Sequence, residues 1–155
     1  MGSRMELVAG SAPDILVLVA SQTPGDTLGD ARSDAYLSLS GGMDPTWLDL
    51  FAEAVRATTD LVLADFIDAR IELGPAEAGR TVSVERVDPA WVSAVATIPE
   101  RRLDAITGRW IDRLGEELGP LASDEKPWIR DLAGRLVGFC RDADRAPDVV
   151  FVWAL

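Results

Sequence analysis

At 155 residues, 48% of them hydrophobic, the chain has the size of one domain and enough apolar surface for a core without disulfides or metals. It has no histidine and a formal net charge of −11. The first excludes Ser-His-Asp and Cys-His catalysis and histidine-ligated metal sites, and the second opposes binding to phosphate backbones or anionic lipid. The charge is uneven: residues 1–80 hold 5 basic and 13 acidic side chains, residues 81–155 hold 10 and 13.

The first residues do not read as a secretory leader, and residues 1–12 are expected to be loosely ordered. Asp14-Ile15-Leu16-Val17-Leu18-Val19-Ala20 is continuously apolar after its first residue, which predicts a strand covered on both faces. It is too short to cross a membrane, and a soluble, cytoplasmic protein is expected. Ser21 to Ser33 reads as a turn-rich loop, with Pro24-Gly25-Asp26 and Gly29-Asp30. From Ala35 to Ser40, Leu37 and Leu39 share one face and Tyr36 and Ser38 the other, the pattern of a half-buried edge strand.

After Gly41-Gly42, Asp44-Pro45 predicts a helix start: the Asp side chain accepts an orphan amide and Pro needs no partner there. Apolar spacing carries that helix from Trp47 to about Leu73, where Gly74-Pro75 stops it. Thr81 to Arg86 alternates as a strand, and Asp88-Pro89 begins a short helix ending near Ile98-Pro99. Residues 100–118 form an amphipathic helix on Leu103, Ile106, Trp110, Ile111 and Leu114. Ser123 or Asp124 is expected to cap a last helix, whose stripe runs Ile129, Leu132, Ala133, Leu136, Val137, Cys140. Asp148 to Leu155 is the strongest strand signal in the chain.

Together these elements predict a single α+β domain over residues 1–155. Its small mixed sheet contains both terminal strands and packs against about four helices. The order is too irregular for a doubly wound fold.

Little in the chain carries chemistry. The 21–30 stretch lacks GxGxxG, GxxxxGK[ST] and any nearby lysine, so a nucleotide cradle is not expected. Asp26, Asp30 and Asp34 recur every fourth residue without the closing Glu of a calcium loop. On the predicted long helix, Asp65, Asp68 and Glu72 fall three and four residues apart. They could therefore meet on adjacent turns, and Asp65 borders the apolar stripe. Cys140 reads as a small buried hydrophobe. Arg101, Arg102, Arg109 and Arg113 have Asp104, Asp112, Glu116 and Glu117 beside them, the pattern of a solvated face.

Of the tryptophans at 47, 91, 110, 128 and 153, Trp47 and Trp128 lie in predicted first turns and are the ones expected at the surface. A tryptophan rimmed by carboxylates is suited to a protein-binding hot spot. The leading expectation is an acidic, non-catalytic interaction module, regulatory or inhibitor-like, for a protein with a basic surface. Candidate contact residues are Trp47, Trp128, Asp65, Asp68 and Glu72. No cofactor, nucleic acid or membrane partner is expected, and an exposed sheet edge is a route to self-association. The alternative is a small-molecule-binding protein or carboxylate-based enzyme built on Asp65 and Asp68.

Overall fold

The computed structural model describes residues 4–21, 35–39, 43–73 and 82–154. The strands are β1 (Arg4–Gly10), β2 (Ala35–Ser38), β3 (Arg70–Glu72), β4 (Ser83–Val87) and β5 (Asp148–Ala154). The helices are α1 (Ala12–Ser21), α2 (Thr46–Thr58), α3 (Pro89–Ala96), α4 (Leu103–Leu118) and α5 (Glu125–Ala143). Short 3-10 turns occupy Phe66–Ala69 and Glu100–Arg102.

The fold is α+β. One sheet, ordered β2-β1-β5-β4-β3, holds both terminal strands and packs against the helices. Among the described residues all four pairings are antiparallel, where a mixed sheet was expected. At its centre β1 and β5 run together from Arg4 opposite Ala154 to Gly10 opposite Asp148.

Register assigns the faces, because directly paired residues share a side. Met5, Leu7, Ala9, Leu37, Val87, Val149 and Phe151 join the main core with residues of α2, α3, α4 and α5. Val8, Val84, Val150 and Val152 face the other way and pack with Ala12, Ile15 and Val19 of α1. Each fully buried Leu or Phe contributes about 1.5–3 kcal/mol by leaving water.

Three further expectations need correction. Residues 4–10, expected to be loosely ordered, form a central strand. Its alternation was invisible because both faces are buried, with Glu6 inside as well. The apolar run from Asp14 to Ala20 is helix, not strand: Ala12, Ile15 and Val19 are buried on one side, while Val17 is 69% exposed. A short apolar run fits either period, and packing on the sheet overrides the poor helix propensity of its β-branched residues.

The third correction concerns the long helix. α2 stops at Thr58, and residues 61–65 belong to no helix. Thr58 and Thr59 each donate a hydroxyl back to the helix, to the carbonyls of Ala54 at 2.8 Å and Val55 at 2.7 Å. Thr59 itself is extended, and its Oγ1 accepts the amide of Leu61 at 3.2 Å, which turns the chain away.

The Asp-Pro starts act as expected. Asp44 accepts the amide of Thr46 at 2.7 Å and Asp88 that of Ala90 at 2.9 Å. Asp124 precedes α5 without a side-chain cap bond. Among the described residues no helix is long and apolar enough to cross a membrane.

Candidate functional site

The indole N–H groups divide the tryptophans into two sets. Trp91 donates to the carbonyl of Ala64 at 3.0 Å, Trp110 to that of Trp47 at 2.9 Å, and Trp153 to the Glu85 carboxylate at 2.6 Å. Trp91 and Trp110 are buried against Phe66 and Phe51, with ring centroids 4.9 and 5.0 Å apart. These rings hold the fold together.

Trp47 and Trp128 differ. Each lies in a first turn, of α2 and α5, and the two rings meet edge to face with centroids 6.1 Å apart and planes at 73°. Both are half-buried, and neither indole N–H has a hydrogen-bond partner among the described residues. Exposed carboxylates stand one helical turn from Trp128, at Asp124, Glu125 and Asp131. Asp44 lies three residues before Trp47. The result is an amphipathic aromatic pair, half covered and with neither donor bonded among the described residues, near several carboxylates.

Asp65, Asp68 and Glu72 do not share a helix face. Asp65 sits on the extended stretch and pairs with Arg56 at 2.8 Å; Asp68 is exposed in a 3-10 turn; Glu72 is exposed on β3. The carboxylate brought near Asp65 is Asp49 of α2, which sequence spacing had not singled out. Asp49 accepts the Ile67 amide at 2.8 Å. Burial chiefly, with the charge of Asp65 in support, lifts its carboxyl above the ordinary aspartate value despite that bond. Asp26, Asp30 and Asp34 lie outside the described residues.

Two further polar clusters had no sequence signal, since a lone Glu on a strand reads as solvated. Glu6 is fully buried on the α1 side of the sheet. It accepts the Tyr36 hydroxyl at 2.6 Å and pairs with Arg4 at 2.5 Å. On the opposite side, Arg70, its side chain only 6% exposed, pairs with Glu85 at 3.0 Å. Its guanidinium lies over Phe66 and Phe151, 4.9 and 5.2 Å from the ring centroids.

A cleft of about 600 Å³ opens where α2 and α3 end, lined by Thr58, Thr59, Asp60, Leu61, Thr97, Pro99 and Arg102 among others. None of the five sequence-derived candidates lines it. The Cys140 thiol is buried, and its burial pushes it up to about 12, far from the reactive range. Among the described residues no three His, Cys, Asp or Glu side chains converge to hold a metal. On the arginine-rich face, Arg113 bridges Glu53, Glu116 and Glu117, while Asp104 pairs with Arg130.

Comparison with family models, curated proteins and solved structures returns no match.

Proposed function

We propose that this chain is an acidic, non-catalytic interaction module, regulatory or inhibitor-like, that docks a protein with a basic surface through the Trp47–Trp128 ridge. The observation that carries the reading is the pair of half-buried indoles in contact, their N–H groups without partners among the described residues, with carboxylates one turn from Trp128. Aromatic anchors of this kind supply much of the affinity at protein interfaces, and complementary charge speeds encounter. The net charge of −11 favours a basic partner and opposes DNA, RNA and anionic lipid. A cytoplasmic setting belongs to the same proposal.

The test is quantitative capture of partners from the source cell by wild type, Trp128→Ala and Asp124→Lys/Asp131→Lys. A partner held at micromolar affinity is expected to be lost from Trp128→Ala. It should be weakened by charge reversal, and more so at low salt. Failure of wild type to retain any protein partner, or tight salt-sensitive binding to nucleic acid, would overturn the reading.

A further inference from the structure

The stretch from Asp60 to Glu72 has an unusual surface. It carries three of the five large hydrophobic side chains exposed among the described residues: Val62 at 94%, Ile67 at 60% and Ile71 at 62%. It also carries Asp60, Asp65, Asp68 and Glu72. Of these only Asp65 has an ion-pair partner among the described residues. The one cation in the stretch, Arg70, is turned inward onto Glu85 and the two phenylalanines.

This stretch ends on the open edge of the sheet. β3 pairs with β4 on one side, and among the described residues no strand pairs with the other. Leu73 donates its amide to the Val84 carbonyl at 3.0 Å, and Asp88 donates to that of Ala69 at 2.7 Å. In an antiparallel ladder alternate residues bond the same neighbour, so Ala69, Ile71 and Leu73 address β4. The amides and carbonyls of Arg70 and Glu72 therefore point out of the sheet. Directly across from Glu72 on β4 stands Glu85, a like charge.

We infer that the outer edge of β3 accepts an extended segment of a partner protein in which basic and apolar side chains alternate. Arg70 and Glu72 supply the main-chain hydrogen bonds, as in other strand additions. A basic side chain opposite Glu72 supplies the ion-pair partner that Glu72 lacks among the described residues, and an apolar one beside Ile71 covers it. A second copy of this chain fits poorly, because the one cation on its own β3, Arg70, is already turned inward onto Glu85 and has no free charge to offer Glu72. The inference rests on the reading of the chain as a partner-binding protein, but uses a different surface from the tryptophan ridge.

The probe is a short acetylated and amidated peptide alternating Arg and Val, with a Glu-Val peptide as control. Binding is followed by amide hydrogen exchange and fluorescence anisotropy. The Arg-Val peptide is expected to protect the Arg70 and Glu72 amides, and the Glu-Val peptide to leave them unchanged. Glu72→Pro removes an outward N–H without touching the β3–β4 ladder, and is expected to weaken binding about tenfold. Glu72→Lys is expected to reverse the preference between the peptides, and decides the matter on charge if the proline variant does not fold.

Unprotected Arg70 and Glu72 amides, or wild-type affinity in a folded Glu72→Pro, overturn the inference. So does concentration-dependent protection of those amides in protein without peptide, which makes a second copy the occupant. Trp128→Ala is expected to bind the peptide normally. Partner capture lost in Trp128→Ala but intact in Glu72→Pro therefore removes the edge proposal and leaves the ridge standing.

Discussion

The interior and the Trp47–Trp128 ridge use the same side chain to opposite ends. Inside, Trp110 donates its N–H to the carbonyl of Trp47 and lies on Phe51, and Trp91 donates to the carbonyl of Ala64 and lies on Phe66. At the ridge, two indoles touch each other and neither donor has a partner among the described residues. An indole whose donor is satisfied within the fold stabilises it. One with an apolar body half covered and a free donor is available to another molecule.

The contrast breaks most visibly at Trp110. Trp110→Ala empties a fully buried site and is expected to cost about 3–5 kcal/mol in urea unfolding. A loss as small as that of a ridge variant would erase the distinction. Next comes Glu6→Ala, which leaves the Tyr36 hydroxyl and the Arg4 guanidinium without this acceptor. A loss of roughly 3 kcal/mol is expected by the same measurement.

Trp128→Ala is expected to cost only about 1–2 kcal/mol, the scale of a half-covered ring and one edge-to-face contact. Acrylamide quenching sharpens the point, since a neutral quencher is indifferent to the negative field. In a Trp47→Phe/Trp128→Phe protein the readily quenched part of the emission is expected to shrink to that of the half-buried Trp153. If it does not shrink, the buried indoles are the accessible ones.

The smallest effect is at Asp49. Its folded carboxyl titrates above the unfolded value of 3.8, so the folded state holds the proton more tightly. Stability therefore falls as pH rises from that value through the folded one, and the cost is constant above both. Asp49→Asn, which keeps an acceptor for Ile67, is expected to gain no more than about 0.5 kcal/mol at neutral pH, because the site is largely solvated. The gain should fade below the unfolded value; a variant less stable at neutral pH would contradict it.

Sequence patterns were most readable where one face of an element is wet. The stripes of α4 and α5, the Asp-Pro starts of α2 and α3, and the alternation of β2 and β4 follow directly from residue types. They failed where both sides are covered, as in β1, or where a short aliphatic run suits either period, as in α1. Beyond Thr58 the apparent stripe continued into Val62, Phe66 and Ala69, yet consecutive threonine hydroxyls had already bonded back and ended the helix. That break dispersed Asp65, Asp68 and Glu72. The ridge was partly foreseeable, because the first turns of α2 and α5 placed Trp47 and Trp128 near the surface. Their mutual contact is a tertiary fact that spacing does not contain.

The pairing of β1 with β5 has a consequence for how the molecule comes into being. Asp148, which opens β5, also accepts the Ala12 amide at the start of α1 from 136 positions away. On the ribosome the middle of the sheet thus waits until residues 148–154 have been made, more than 130 residues after β1, while β1 and β4 hold unsatisfied apolar edges. Chaperone demand should be concentrated in that interval, and end when β5 is threaded between them.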